Sequence, residues 1–280
     1  MSKHINIRVE GVGAPVLLVN GLIHDLTTWN YYAKVLSKKH KVIRFDFPNQ
    51  GESHDDEAFL EIEKHSQLML DVLGRVGVEP SDVTVVAQSS GASAARHADC
   101  GRGTRFKNLF LLGINPGGLQ RFYAQIYGAY LELLRSSGIR AYYRAIAPML
   151  FSPLFYENDT SILESIITTC ERAYEGRQKA LETLVLSPFH DQTLQAPPTQ
   201  FASRTYLVHG HLDYLVPAEK REAYAARCDA SRVSAEVFSG GHCFAFEDPS
   251  TLVKRVLEVM AGHSEPGVRA RFDEPRPRAD

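Results

Sequence analysis

The sequence predicts an α/β protein with a mostly parallel sheet, helices on both faces and an inserted helical segment. Three observations carry that expectation. Apolar, β-rich runs alternate with helical segments through the first half; the alternation stops between Pro116 and about Pro198; strand-like runs resume at Arg204-Thr205-Tyr206. With 280 residues there is length for one large domain with an insertion rather than two independent domains. The expected division is a core from residues 1–115 and 199–262, a helical cap from 116–198, and a charged segment from 263–280, with three prolines and no apolar period, expected to be a disordered tail.

Taken in order, Ile5 to Glu10 and Pro15 to Asn20 read as strands, Trp29 to Lys38 as a helix, Val42 to Asp46 as a strand and Phe59 to Val76 as a helix. Val83 to Ala87 is a buried strand, and Gly91-Ala92-Ser93-Ala94-Ala95 is a small-residue helix start. Leu109 to Gly113 is a further strand. In the insertion, Leu119, Phe122, Tyr123, Ile126, Tyr127, Tyr130, Leu131 and Leu134 recur at helical spacing as one tyrosine-rich face. Ile139 to Phe151 continues the aromatic content, Ser161-Ile162-Leu163-Glu164 is a capping-box start, and Arg177 to Leu186 is a candidate fourth helix. Thr205 to His209 and Val233 to Phe238 are the last strands, and Glu247-Asp248-Pro249 starts a final helix.

Three separated segments complement one another chemically. Ser89, in Ala87-Gln88-Ser89-Ser90-Gly91, sits between a strand and a helix; Asp213 follows the strand that ends near His209; His242 follows the turn Ser239-Gly240-Gly241. A serine hydroxyl attacks a carbonyl only if a base takes its proton, and a histidine serves well only if an acid fixes its tautomer. The sharp strand-to-helix turn wants small residues two before and two after the serine, so as not to collide with one another; Ser89 has Ala87 and Gly91 there, whereas Ser90 would have Gln88 and Ala92. The plain alternatives are a helix-capping role for Ser89 and an N-cap role for Asp213 ahead of Pro217. His24, His190, His209 and His211 compete with His242, but none sits on a glycine turn after the last strand.

The order serine, acid, histidine, with these motifs spread over the whole sheet region, resembles the serine enzymes of the α/β-hydrolase superfamily. That resemblance implies Ser89, Asp213 and His242 as a catalytic triad. Asn20-Gly21-Leu22, where such enzymes usually carry His-Gly, then implies the backbone N–H groups of Leu22 and Ser90 as an oxyanion hole. Asn20, Gly21, Gln88, Tyr123, Tyr127 and Tyr130 are the candidate substrate-pocket residues. More loosely, Leu18-Val19-Asn20-Gly21 followed by Phe45-Asp46-x-Pro48-x-x-Gly51-x-Ser53 resembles the group containing hydroxyalkanoyloxyalkanoate synthase and the 3-hydroxyacyl-acyl-carrier-protein:CoA transacylase. This implies an acyl thioester donor, 3-hydroxyacyl and linked to acyl carrier protein or CoA, with transfer of the acyl group to an acceptor. Plain ester or thioester hydrolysis is the alternative, and a non-catalytic small-molecule receptor is the competing class.

Composition narrows the partners. A net charge of −2, with Lys and Arg spread along the chain, gives no electrostatic footprint for nucleic acid. No run approaches the length of a membrane span and the first residues form no apolar signal core, so a cytoplasmic protein is expected. Cys100, Cys170, Cys228 and Cys243 lack metal or redox spacing, and no metal or cofactor is expected.

Overall fold

The computed structural model describes residues 4–53, 61–158, 161–190, 197–263 and 269–271. The strands are β1 (Ile7–Glu10), β2 (Ala14–Val19), β3 (His40–Phe45), β4 (Thr84–Gln88), β5 (Asn108–Leu112), β6 (Thr205–Gly210), β7 (Val233–Phe238) and β8 (Arg269–Arg271). They form one sheet in the order β1-β3-β2-β4-β5-β6-β7-β8, in which β1 runs antiparallel to β3 and every other pair is parallel. The helices are α1 (Asn30–Leu36), α2 (Ile62–Val76), α3 (Ser90–Arg96), α4 (Gln120–Leu150), α5 (Pro153–Asn158), α6 (Ser161–Ala173), α7 (Gln178–His190), α8 (Ala218–Ala225), α9 (Phe244–Glu247) and α10 (Pro249–Met260).

Parallel strands buried on both faces read as continuous apolar runs, and alternate residues then serve opposite layers. Leu17, Val19, Val85, Ala87, Leu109 and Leu111 pack with Met69 and Val72 of α2 and the alanines of α3. Val16, Leu18, Val86, Phe110 and Leu112 pack with Tyr32 of α1 and Leu252 and Val256 of α10 on the other face. A third core joins α4, α6 and α7 to Leu22, Ile23, Leu215, Val216 and Cys243, which lie in the segments leaving β2, β6 and β7. The helices between β5 and β6 therefore rest on the carboxyl ends of the strands. Strand order reverses between β2 and β4, and ligands of open α/β sheets bind outside that point.

One feature falls where the sequence reading divides the insertion, between Leu134 and Ile139, and a second departs from that reading. The long helix is interrupted at Gly138 (φ 83°, ψ −178°), a conformation that suits glycine, so the tyrosine-rich half and the half ending at Leu150 are separate rods. Within the segment expected as a disordered tail, Arg269–Arg271 pairs in parallel with Glu236–Phe238 and extends the sheet edge. The remainder of that tail, and the expected helix start at Phe59, lie outside the described residues. Among the described residues no helix is long and apolar enough to cross a membrane.

The far side of the sheet holds a buried ion pair. Arg255 of α10 and Glu236 of β7 are each 1% exposed; Arg255 Nε donates to both carboxylate oxygens at 3.0 Å and Nη2 to one at 2.6 Å. Arg255→Met should destabilise the fold by about 3–5 kcal/mol, because it strands the Glu236 carboxylate in the core. The double change Arg255→Met with Glu236→Leu should recover much of that loss in urea unfolding.

Candidate active site

Val19 of β2 pairs with Ala87 of β4, so the chain leaves both strands side by side. At Ser89 it turns abruptly into α3, with φ 52° and ψ −114°, a region rarely adopted by any residue other than glycine. The turn is held by Ser89 N donating to Leu112 O at 2.8 Å on β5. Ser89 occupies the N-cap position of α3, yet its hydroxyl makes no capping bond. Oγ lies instead 3.0 Å from His242 Nε2. Smallness at position 91 is required by the end of β2 as well: a Cβ on Gly91 would stand 2.2 Å from the Asn20 carbonyl oxygen and 2.9 Å from Val19 Cγ1. The first turn of α3 thus packs closely against the end of β2.

His242 is fixed from several directions. Its Nδ1 lies 2.9 Å from Asp213 Oδ2. Asp213 Oδ1 accepts from the amides of Leu215 and Val216 at 3.0 and 2.9 Å, so this carboxylate caps no helix; the N-cap of α8 is Pro217. Burial alone would raise the pKa of Asp213, but the imidazoles of His242 and His209 facing it outweigh burial and hold its carboxyl well below the usual range. The preceding turn is anchored by Glu247, whose Oε1 accepts from Gly241 N at 2.8 Å and Ser152 N at 2.9 Å, and Cys243 N donates to Leu150 O at 2.7 Å. Gly113 closes the other side: a Cβ there would lie 2.8 Å from His242 Cε1. Burial drives the neighbouring Cys243 thiol well above its ordinary pKa, which keeps it protonated and unreactive. His209, the nearest competitor, has Nδ1 3.8 Å from Asp213 Oδ2, farther than His242.

The backbone after β2 is fixed by Gln50, whose Nε2 donates to the carbonyls of Gly21 at 2.6 Å and Leu22 at 3.0 Å. In a trans peptide C=O and N–H point in opposite directions, so a Gly21 carbonyl turned to Gln50 turns the Leu22 N–H away from it. Likewise the Ser89 carbonyl accepts from Ser93 N at 3.1 Å, which turns the Ser90 N–H back out of the helix end, where it has no intrahelical acceptor. Leu22, Ser89, Ser90 and His242 all border one cavity.

Tyr123, Tyr127, Ile62, Leu215 and Val216 wall that cavity, and a narrower one beside Ser89 is bordered by Gly21, Gln88, His24, Tyr142 and Ile146. Two residues expected in the pocket stand elsewhere. Asn20 is fully buried behind it, donating to Phe45 O at 2.9 Å and Gln50 Oε1 at 3.1 Å and accepting from Trp29 Nε1 at 3.0 Å. Tyr130, a turn farther along α4, packs edge-on against the Tyr142 ring at 6.3 Å. Gln50, Glu247 and Tyr142 have no individual signal in the sequence, although Gln50 falls in the Pro48-x-x-Gly51 loop; His24, a competitor of His242 in the sequence, borders the narrower cavity instead. Among the described residues no group of three or more His, Cys, Asp or Glu side chains is placed to hold a metal ion.

Residues 16–255 match the model of the alpha/beta hydrolase family. No curated protein sequence matches the chain. Among solved structures it is similar to MGS-M2, an alpha/beta hydrolase enzyme from a Medee basin deep-sea metagenome library, at 19% identity and TM-score 0.76 over 97% of this chain and 96% of that one. It is also similar to the esterase EaEST from Exiguobacterium antarcticum, at 15% identity and TM-score 0.74 over 92% and 95% of the two chains. A bromoperoxidase from Bacillus anthracis superimposes at 16% identity and TM-score 0.76, again over 92% and 95%. At such identities the likeness lies in the fold, and the family model supplies the membership: the chain belongs to the alpha/beta hydrolase family.

Proposed function

We propose that Ser89, His242 and Asp213 act as nucleophile, base and orienting acid in an enzyme that takes an acyl group from an ester or thioester onto Ser89 and passes it to an acceptor. The observation that carries this reading is the continuous chain from Ser89 Oγ to His242 Nε2 at 3.0 Å and from His242 Nδ1 to Asp213 Oδ2 at 2.9 Å, bordering a cavity with apolar walls. His242 takes the Oγ proton as Oγ bonds to the acyl carbon, and the ionised Asp213 steadies the imidazolium. The carbonyl oxygen gains its negative charge opposite the amides of Leu22 and Ser90, each such donor being worth about 3 kcal/mol to the transition state. Collapse breaks the bond to the leaving alcohol or thiol, which leaves with the proton from His242. An acceptor O–H or S–H then repeats the sequence in reverse: its proton goes to His242, its oxygen or sulfur bonds to the acyl carbon, and Ser89 recovers its hydroxyl. When the acceptor is water the product is the free acid, and the enzyme is an esterase or thioesterase. The apolar walls favour transfer, because a dry pocket slows attack by water and lets a bound acceptor compete.

Intact-protein mass spectrometry after incubation with acyl esters and with acyl-CoA and acyl-carrier-protein thioesters should reveal a mass increase equal to one acyl group, absent from Ser89→Ala. That variant should keep its fold and lose about four to six orders of magnitude in turnover, whereas Ser90→Ala loses far less. A larger loss for Ser90→Ala would move the nucleophile by one residue. Product analysis with and without added alcohol or CoA separates transfer from hydrolysis.

The Asp213 carboxyl, held well below the usual carboxylate range, is ionised near neutral pH and is available to orient the His242 ring. Asp213→Asn should cost about 10⁴-fold, and combining it with His242→Ala should cost much less than the product of the two single losses.

Chain-length preference should be set by the wall of the cavity. Tyr127→Trp should shift the preferred acyl chain to shorter lengths, with preference changing several-fold per carbon, since a buried methylene is worth about 0.8 kcal/mol. Tyr130→Trp should leave the profile where it was, and a profile that moves equally in both variants would sink this assignment.

A further inference from the structure

Three buried polar atoms next to the reacting serine have no hydrogen-bond partner within the protein: Gln88 Oε1, the Tyr142 hydroxyl and His24 Nδ1. All three side chains border the narrower cavity that also touches Ser89 and His242. Gln88 and Tyr142 are each 0% exposed, so bulk solvent does not reach them. Bare Gly21 leaves open the point at which His24, Gln88 and Ser89 converge: a Cβ placed there would lie 3.4 Å from His24 Nδ1, 3.5 Å from Gln88 Cγ and 3.5 Å from Ser89 Cβ. A buried donor or acceptor left unpaired is destabilising, and three of them around one small space call for a ligand that pairs with them.

The chemistry of the groups narrows that ligand. Gln88 Nε2 is committed to the His242 carbonyl at 3.0 Å, which fixes the amide and leaves Oε1 as an acceptor in need of a donor. Burial pushes the His24 imidazole down to about 4 and the Tyr142 hydroxyl well up, so both are neutral near pH 7. Neither a carboxylate nor a lysine or arginine borders the cavity. An ammonium or a carboxylate would therefore be an unpaired buried charge, whereas a hydroxyl, with one donor and two acceptor positions, fits a neutral site of this kind. Past Ile23 and His24, which border both spaces, lies a larger cavity of about 310 Å³ walled by Phe151, Ile166, Ala173, Tyr174 and Phe246.

We infer that Gln88, Tyr142 and His24 form an alcohol subsite: they hold the hydroxyl of a second substrate beside Ser89, and its apolar body extends past His24 into the larger cavity. The inference rests on the acyl-Ser89 reading for its catalytic meaning and names the acceptor class for that same site. In the transfer step the alcohol proton passes to His242 Nε2, the alcohol oxygen bonds to the acyl carbon, the bond from that carbon to Ser89 Oγ breaks, and the proton returns to Oγ. An ester leaves and the serine is restored.

The test measures binding without acyl chemistry. The Ser89→Ala protein is titrated calorimetrically with 1-octanol and with octyl methyl ether, which matches the chain but cannot donate a hydrogen bond. The alcohol should bind about five- to ten-fold more tightly than the ether, the ratio expected for one well-made hydrogen bond. Adding Tyr142→Phe, which removes a hydroxyl able to donate to the oxygen of either ligand, should weaken octanol binding about five-fold. Adding Gly21→Ala, whose new methyl has no contact closer than 3.4 Å, should weaken octanol binding about ten-fold by filling the point of convergence. Equal affinity for alcohol and ether, or octanol binding untouched by both added changes, overturns the subsite. Loss of acyl-Ser89 formation in the mass measurement with octanol discrimination intact would instead overturn the acyl-transfer reading and leave an alcohol-binding site standing.

Discussion

The close approach between Gly91 and the Asn20 carbonyl governs the geometry of everything around it. Because α3 starts with no side chain at that position, its first turn can lie against the end of β2; any Cβ there would stand 2.2 Å from the carbonyl oxygen. That contact fixes the separation between Ser89 and the segment Gly21-Leu22, and so between the hydroxyl and the two amides on either side of it. It also maintains the positive φ of 52° at Ser89, a conformation that costs on the order of 1–3 kcal/mol and persists only where the surroundings over-determine it. Here the surroundings are the ladder on β5, which takes the Ser89 amide at 2.8 Å, and the buried strands on both sides.

Around this fixed point the molecule places polar groups in two distinct ways. Asp213 is a buried carboxylate with every near neighbour arranged for its charge: two amides on Oδ1 and an imidazole on Oδ2. Asn20 and Gln50 form a network that also reaches the Asp46 carboxylate, to which Asn20 donates at 3.2 Å, and its product is the orientation of the Gly21–Leu22 peptide. The replacement of the usual histidine by Asn20 makes sense in that light. Its amide donates toward β3 and the Gln50 side chain and its carbonyl accepts from Trp29, a division of roles that one asparagine serves with fixed geometry.

What could be read from the sequence follows from the same physics. The strands were legible because burial on both faces leaves unbroken apolar runs, and Ser89, Asp213 and His242 were legible because each stands directly after such a run on a turn. Gly91 reads as a small-residue position in the sequence, but that the Asn20 carbonyl just beyond β2 stands closest to it is something no local pattern indicates. Gln50 reaches Leu22, 28 positions away, Glu247 joins Gly241 to Ser152, 95 positions away, and Tyr142 borders a cavity between separated segments; such placement leaves no trace in spacing. Tyr123, Tyr127 and Tyr130 share a helical stripe in the sequence, yet only the first two border the cavity with Ser89, because the third lies one turn beyond the strand ends and meets Tyr142 instead. Periodicity gives the face of a helix; how far along the helix the site reaches is set by tertiary packing.

The neutrality of His24 has a bearing on His242. A second imidazolium bordering the same cavity would oppose a positive charge on His242, the charge that the proposed mechanism places there. Burial pushes His24 down to about 4, so near neutral pH it contributes a dipole and an acceptor without adding positive charge. The same burial keeps Tyr142 protonated and Cys243 inert. Within this corner of the molecule, exclusion of water thus leaves His24, Tyr142 and Cys243 neutral while Asp213 carries its charge. The proton transfer proposed between Ser89, His242 and an acceptor hydroxyl would then run without a competing charge from these groups.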